Sequence, residues 1–232
     1  MTPLKARPIS ESLTIAGPVG DLQALLDASP GEHARQAGGV KTTHVAVICH
    51  PHPLYGGTMT NKVVHMLAKS FNELGVPAVR FNFRGVGASA GTYDEGNGET
   101  DDAVAVLDWA AAKWPHAGLW LAGFSFGGAV AIKAAVRRDV VRLVTVAPAI
   151  QRVAVDAAKL PTCPWLLIQG DKDELVNCTD VQQWAGSLQS PPQLAVLPGV
   201  DHFFHGRLND LRDAVIHWVG QGQTVEPERN DA

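Results

Sequence analysis

The sequence predicts an α/β protein with a mostly parallel sheet and helices on both faces of the sheet. Apolar runs of strand length alternate with amphipathic segments of helical length along most of the chain. The apolar runs are continuous rather than alternating, which is typical of parallel strands that are buried on both sides. A chain of 232 residues with 46% hydrophobic and 18% charged residues is long and apolar enough to bury a sizeable core. We therefore expect a single domain over residues 1–232.

The elements follow one another in a regular order. The N-terminal part, residues 1–41, predicts two strands at 12–16 and 22–26 and then a polar, glycine-rich loop at 29–41. Further strands are predicted at 45–49, 78–83, 119–122, 141–146, 165–169 and 194–197. Helices are predicted at 61–74, 100–113, 126–138, 181–188 and 208–219. Asp101 and Asp102 are expected in the first turn of the second helix, where the helix dipole favours acidic side chains, and the polar tail 221–232 is expected to fray.

The charge, the apolar runs and the cysteines argue against several kinds of binding partner and cellular location. The formal net charge of −4 gives no indication of a nucleic acid or an anionic membrane as partner. The apolar runs are too short for a signal peptide or a membrane span, and three widely spaced cysteines do not form a disulfide framework. We expect a cytoplasmic protein that needs no cofactor and acts on a small molecule.

In a parallel sheet, ligands bind at the carboxyl ends of the strands, so the residues that follow each strand are the candidates for chemistry. The segment Gly123–Gly127 matches the pattern G-x-S-x-G between a predicted strand and a predicted helix, which makes Ser125 the candidate nucleophile. The segment 87–91 matches the same pattern around Ser89, but its neighbours are typical of a loop, so we interpret Ser89 as a turn residue.

A serine hydroxyl needs a base to remove its proton, and histidine is the usual base near neutral pH. His202 and His205 follow the predicted strand at 194–197, and His202 is favoured because it comes first after the strand. His217 falls within the last helix and is expected to be a packed or surface residue.

A carboxylate that orients the base should follow the preceding strand. Asp171, Asp173 and Glu174 compete for this position, directly after the strand at 165–169. Asp171 can cap the turn, whereas Asp173 reaches further along the loop toward the histidine, so Asp173 is favoured.

Acyl transfer also needs backbone N–H groups that bind the developing oxyanion. Phe126, which follows the nucleophile, supplies one candidate donor. The loop after the strand at 45–49 supplies the other, from His52 or Leu54, because its two prolines carry no N–H. His50 and His52 could instead be metal ligands, but no cysteine or acidic cluster accompanies them, and we expect no metal.

Together these motifs resemble the cap-less bacterial α/β-hydrolases akin to dienelactone hydrolases and the catalytic domains of acyl-peptidases. The motifs are HPHPLYGGTMTNKVV, RFNFRGVGASAG, GFSFGG, GDKDELV and DHFFHGRL, and they extend over nearly the whole chain from Val40 onward. In such relatives the serine, the second aspartate and the first histidine of these motifs are catalytic. The resemblance therefore implies that Ser125, Asp173 and His202 form the triad of an α/β-hydrolase fold.

We expect a serine hydrolase that cleaves small carboxylic esters or thioesters through an acyl-enzyme. The alternatives are an acylaminoacyl or peptide hydrolase and a catalytically silent interaction protein on the same fold. Residues 147–164, between two predicted strands, are too few for a lid, so the site should be open and shallow. Five aromatic residues are candidates to line it, although aromatic residues near strand ends more often pack in the core: Tyr55, Phe124, Phe126, Phe203 and Phe204.

Overall fold

The fold is that of a computed structural model, which describes residues 9–28, 42–156 and 159–221. Within these residues the strands are β1 (Ile9–Gly17), β2 (Gly20–Ala28), β3 (His44–Cys49), β4 (Ala78–Phe81), β5 (Gly118–Phe124), β6 (Arg142–Val146), β7 (Trp165–Gly170) and β8 (Gln193–Leu197). The α-helices are α1 (Lys62–Glu73), α2 (Asn97–Lys113), α3 (Phe126–Arg137), α4 (Cys178–Gly186) and α5 (Leu208–Gln221). A short 3-10 helix at Pro53–Tyr55, which the sequence did not predict, lies between β3 and α1.

The strands form one sheet, which confirms the predicted α/β architecture. Their order is β1-β2-β4-β3-β5-β6-β7-β8. Strands β3 to β8 pair in parallel, and β2 runs antiparallel to both of its neighbours at one side of the sheet. None of the helices in the described part of the chain is long and apolar enough to cross a membrane.

The central strands are buried on both faces, so alternate residues of one strand enter two different cores. Val45 and Val47 of β3 belong to the cluster that contains residues of α2, α3 and α4. Ala46 and Ile48 belong to the cluster that contains residues of α1 and α5. Three helices therefore cover one face of the sheet and two cover the other, as continuous apolar strands require.

The sheet order creates a crevice at β3. The chain passes from β3 to its neighbour β4 on one side and then crosses back to β5 on the other side. The loops that leave β3 and β5 therefore diverge above the carboxyl edge of the sheet. Ligands of open α/β sheets bind at such a switch point.

The structure corrects the predicted start of α2. The helix begins at Asn97 rather than at residue 100, because Glu99 accepts hydrogen bonds from the N–H groups of Asp94 and Gly96 and completes the first turn. Glu99 is therefore the acidic residue of the first turn, and the prediction that Asp101 and Asp102 lie there was wrong.

The carboxylate of Asp102 is stabilised by Arg84 rather than by the helix dipole. Its buried carboxylate accepts hydrogen bonds from the backbone N–H and the guanidinium of Arg84, at 2.8–3.2 Å. The pair fixes the segment after β4 onto α2. A buried ion pair of this kind is stable only because the carboxylate is also hydrogen-bonded.

Several other bounds differ by a few residues. Strand β4 ends at Phe81 rather than at residue 83, because the N–H of Phe83 donates to the ring of His50 instead of to a strand. Helix α4 begins at Cys178, where Asn177 caps it by accepting from the N–H of Asp180. Helix α5 continues to Gln221, so the predicted tail starts one residue later. The predicted loop at 29–41 and the tail from 222 lie outside the described residues.

Candidate active site

Ser125 forms the junction between β5, which ends at Phe124, and α3, which begins at Phe126. Its backbone has φ 56° and ψ −119°, a conformation that L-residues rarely adopt. Two hydrogen bonds fix this strained turn: the N–H of Ser125 donates to the carbonyl of Val146 (2.8 Å), and its carbonyl accepts from the N–H of Ala149 (3.0 Å). Such a turn presents the serine hydroxyl above the sheet edge.

Close packing around this turn explains its two flanking glycines. A Cβ atom on Gly123 would lie 2.1 Å from the carbonyl oxygen of Gly127, and one on Gly127 would lie 2.3 Å from the carbonyl oxygen of His50. Helix α3 thus approaches the end of β3 to within backbone contact. The loop after β3 is placed beside Ser125 as a result.

Three of the predicted residues are joined by hydrogen bonds at the carboxyl edge of the sheet. Ser125 Oγ lies 3.1 Å from Nε2 of His202, and Nδ1 of His202 lies 2.8 Å from Oδ2 of Asp173. The three residues follow β5, β8 and β7, which are distant in sequence. The side chains of His202 and Asp173 are only 3% and 1% exposed, so this pair is shielded from water.

The loop after β7 holds the loop after β8 through three carboxylates. Asp171 accepts a hydrogen bond from the N–H of Gly199 (2.6 Å), and Glu174 accepts one from the N–H of His202 (3.3 Å). Asp173 lies between them in the sequence, and its carboxylate reaches the imidazole of His202. Of the three carboxylates that compete in the sequence, the structure brings Asp173 to the histidine ring.

Gln169 is a site residue that the sequence did not reveal. It is fully buried at the end of β7, and its Nε2 donates both to Oδ2 of Asp173 and to the carbonyl of Val176, each at 3.0 Å. The other oxygen of Asp173, Oδ1, accepts from the N–H groups of Leu175 (2.9 Å) and Val176 (2.7 Å). The one available signal was a polar residue at the end of an otherwise apolar strand, directly before the acidic loop.

The loop after β3 folds back onto His52. The N–H of Leu54 donates to Nδ1 of His52 (3.2 Å), and the N–H groups of Tyr55 and Gly57 donate to its carbonyl (3.1 and 3.0 Å). Within the described residues, the N–H groups of His52 and Phe126 donate to no protein acceptor. Of the two donors that the sequence left open in this loop, Leu54 is therefore already engaged and His52 is not.

The imidazoles of this loop are hydrogen-bonded to protein atoms. Nδ1 of His50 donates to the carbonyl of Pro51 (2.6 Å), while Nε2 accepts from the N–H of Phe83 (3.0 Å). Burial lowers the pKa of His50 to about 4, so the ring is neutral at pH 7. Nε2 of His52 lies 3.2 Å from the hydroxyl of Tyr93. No group of three His, Cys, Asp or Glu side chains in the described ranges is placed to hold a metal ion.

The other residues considered from the sequence lie elsewhere. Ser89 is buried in the loop after β4, as predicted, and its hydroxyl donates to the carbonyl of Asn82 (2.7 Å). His205 is exposed, and its Nδ1 lies 2.8 Å from Asp201 rather than near the serine. His217 is exposed on α5, as predicted.

A cavity of about 420 Å³ lies over the serine and the histidine. Tyr55, Phe126 and Phe203 line it, as predicted. Phe124 and Phe204 follow the alternative instead: they do not line the cavity, are fully buried and pack into the core below the site. Aromatic residues at strand ends thus divide between the cavity wall and the core, and the sequence alone does not separate them.

Comparison with known proteins agrees with this architecture. A family model described as serine aminopeptidase, S33, matches residues 43–160, which include the loop after β3 and the serine turn. The chain belongs to this family of α/β serine hydrolases.

Relatives of this α/β serine hydrolase share most of its length. An α/β serine hydrolase homologue from Coxiella burnetii is 42% identical, with a TM-score of 0.83, over 90% of this chain and 97% of that one. A Xanthomonas campestris protein described as an α/β serine hydrolase without lid is also 42% identical, with a TM-score of 0.83, over 94% and 97% of the two chains. An uncharacterised Rickettsia prowazekii protein is 35% identical over 75% of this chain and 78% of its own.

Proposed function

We propose that this serine hydrolase cleaves small carboxylic esters or thioesters through an acyl-enzyme, with Ser125 as nucleophile, His202 as base and Asp173 as orienting acid. The observation that carries the proposal is the unbroken chain of hydrogen bonds from Ser125 Oγ through the imidazole to Asp173, at 3.1 and 2.8 Å. A hydroxyl in contact with an oriented imidazole can lose its proton as it attacks a carbonyl carbon.

In the acylation step, Ser125 Oγ forms a bond to the carbonyl carbon while Nε2 of His202 takes the hydroxyl proton. The carbonyl electrons move onto the oxygen, which becomes an oxyanion. When the tetrahedral intermediate collapses, the bond to the leaving alcohol or thiol breaks and His202 returns the proton to it. Asp173 accepts the Nδ1–H bond throughout, which fixes the tautomer and stabilises the imidazolium.

The N–H groups of His52 and Phe126 are the proposed oxyanion donors. Both flank the cavity and donate to no acceptor among the described residues, so each is available to a ligand oxygen. Leu54, the alternative donor from the sequence, instead donates to Nδ1 of His52 and thereby shapes the turn. Preorganised N–H donors of this kind are worth about 10²- to 10³-fold in kcat each.

In the deacylation step, water replaces the leaving group. His202 takes a proton from the water, the oxygen attacks the acyl carbon, and the bond to Ser125 Oγ breaks as the proton passes to the serine. Gln169 holds the Asp173 carboxylate during both steps, because it donates to the same oxygen that accepts from His202. We assign Gln169 a positioning role, since it contacts the acid and not the substrate.

The test is a series of p-nitrophenyl esters with acetyl, butyryl, octanoyl and palmitoyl groups. We expect kcat/KM to be highest for the short acyl chains, because the 147–164 segment between β6 and β7 is too short to form a lid over a long chain. A methylene contributes about 0.8 kcal/mol only where it is buried. Ser125→Ala is the matched control for background hydrolysis. A steady rise of kcat/KM toward palmitate would contradict the small-ester proposal.

Aminopeptidase activity is the second candidate, since the matching family model is described by that name. Aminoacyl p-nitroanilides measured beside the esters separate the two activities. The small-ester proposal fails if the anilides are cleaved with a higher kcat/KM than p-nitrophenyl butyrate.

The cysteines bear on the location of the protein. The free thiols of Cys49, Cys163 and Cys178 suit a reducing compartment, and we propose that the protein is located in the cytoplasm.

A further inference from the structure

The cavity over Ser125 has an unbalanced charge. Among the described residues that line it, Arg152 is the one that carries a full charge at neutral pH. No hydrogen bond or ion pair joins its guanidinium to another described side chain. Its charge acts within the site, because burial and the neighbouring Arg152 together lower the pKa of His52.

The backbone that carries Arg152 is anchored to the nucleophile. The N–H of Ala149 donates to the carbonyl of Ser125 (3.0 Å), and the N–H groups of Arg152 and Val153 donate to the carbonyl of Ala149 (3.0 and 3.1 Å). Val153 is buried in the core beneath this turn. The backbone of Arg152 is therefore held near the serine by two hydrogen-bonded steps.

The chemistry of this side chain selects its partner. A guanidinium offers planar, forked N–H donors that match the two oxygens of a carboxylate or a phosphate, and it stays charged at any physiological pH. Around it, Tyr55, Leu175 and Phe203 line the same cavity while keeping 76%, 49% and 37% of their surface exposed. The cavity thus combines an apolar rim with an arginine that pairs with no other side chain in the described part of the chain.

We propose that Arg152 makes the site selective for esters that carry an oxyanion group, a carboxylate or a phosphate, remote from the bond that is cleaved. The inference rests on the proposed function, since it names the substrate class of the same site. The apolar rim contacts the hydrocarbon part of the substrate, and Arg152 binds the oxyanion. The connection between β6 and β7, which carries Arg152, provides the selectivity.

The experiment compares the p-nitrophenyl monoester of glutaric acid with its neutral methyl ester. We expect wild-type kcat/KM to favour the anionic ester by about tenfold, which equals about 1.4 kcal/mol. Arg152→Met should bring the ratio of the two kcat/KM values to about one, and Arg152→Lys should retain part of it. Arg212→Met, which removes a half-buried arginine paired with Asp213 on α5, is the control and should keep the wild-type ratio.

Salt provides a second check on the same ratio. Because Arg152 is exposed, the preference for the anionic ester should shrink as sodium chloride rises from 0.05 to 1 M, over which the Debye length falls severalfold. A ratio near one in the wild type, or a ratio that survives in Arg152→Met, would overturn the proposal while leaving hydrolysis of the neutral ester in place.

Binding to a protein that cannot turn over separates this proposal from the catalytic one. Calorimetric titrations of Ser125→Ala with the glutarate monoester and with propyl phosphate show which oxyanion the site prefers. Repetition in Ser125→Ala/Arg152→Met should lower the affinity for the preferred anion by about tenfold. If wild type hydrolyses neither ester, the proposed function fails, and these titrations still decide the role of Arg152. Equal affinities for the anion in Ser125→Ala and Ser125→Ala/Arg152→Met would contradict the proposal that Arg152 binds it.

Discussion

Two segments of the chain have the same pattern, G-x-S-x-G, and their glycines serve different purposes. In the segment around Ser89, Gly87 and Gly91 have φ values of 59° and 83°, so glycine is needed there for a turn. In the segment around Ser125, the glycines are needed for close backbone approach, and the positive φ falls on the serine itself. Strain on the serine is the feature that distinguishes the proposed nucleophile.

The hydroxyl groups differ as well. Ser89 Oγ accepts from the N–H of Gln23 (2.9 Å) and donates to the carbonyl of Asn82 (2.7 Å), so it joins β2 to the segment after β4. Ser125 Oγ has a hydrogen bond to His202 and faces the cavity. The same motif therefore has different chemistry at the two sites, because chemistry depends on its position at a strand end and on the hydrogen-bond partners of its hydroxyl.

Removing each hydroxyl in turn tests the difference between the two serines. Ser125→Ala should lower kcat for p-nitrophenyl butyrate by about 10⁵- to 10⁶-fold, because it deletes the nucleophile and leaves only binding and the oxyanion donors. Ser89→Ala should leave kcat within about twofold of wild type at a temperature where it is folded. A loss above tenfold in Ser89→Ala would show that the two segments are coupled in catalysis.

The acid loop allows a similar comparison within one motif. Asp173→Asn should lower kcat by about 10⁴-fold, because the amide no longer stabilises the imidazolium or fixes the tautomer of His202. Asp171→Asn keeps an oxygen that can accept from Gly199, so its loss should stay below about tenfold. A larger loss in Asp171→Asn than in Asp173→Asn would show that Asp171, and not Asp173, is the acid that orients His202.

Part of the fold and of the candidate site could be predicted from the sequence. The alternation of strands and helices, and the positions of Ser125, Asp173 and His202 after three strands, follow from local patterns. The sheet order and the role of Gln169 do not, because both depend on which distant segments meet. Asp102 is the clearest case. Its place in the chain predicted an interaction with the helix dipole, whereas its carboxylate binds Arg84 in the segment after β4.

His50 contacts one G-x-S-x-G segment and the chain just before the other, and its titration makes the free energy of unfolding depend on pH. Its carbonyl lies against Gly127, and its ring accepts from the N–H of Phe83, which precedes the segment around Ser89. Burial lowers the pKa of the folded-state imidazole from 6.5 to about 4. Between these values the unfolded chain binds the additional proton, so the free energy of unfolding falls as the pH falls.

The size of this effect follows from the two pKa values. We expect His50 to cost about 2 kcal/mol of stability between pH 7 and pH 5. Urea unfolding at both pH values, in the wild type and in His50→Gln, isolates this contribution because the other titrating groups are shared. If the variant loses as much stability as the wild type over this range, the neutral, hydrogen-bonded His50 is contradicted.

The structural cost of losing Ser89 is expected to be similar in size to the effect of His50. Ser89→Ala leaves the N–H of Gln23 and the carbonyl of Asn82 without their partner in a buried region, which should lower the free energy of unfolding by about 1–3 kcal/mol. Ser125→Ala should change it by less than about 0.5 kcal/mol, since its hydroxyl faces the cavity. Urea denaturation of the two variants measures both, and equal losses would remove the distinction between a structural and a catalytic serine.

Covalent labelling distinguishes the two serines without any choice of substrate. A fluorophosphonate reacts with a serine only where a base activates its hydroxyl and the oxyanion-hole N–H groups donate hydrogen bonds to the phosphonyl oxygen. We predict one label per chain, on the peptide that contains Ser125, with labelling retained in Ser89→Ala and lost in Ser125→Ala. A label on Ser89, or labelling that persists in Ser125→Ala, would contradict the assignment of Ser125 as the nucleophile.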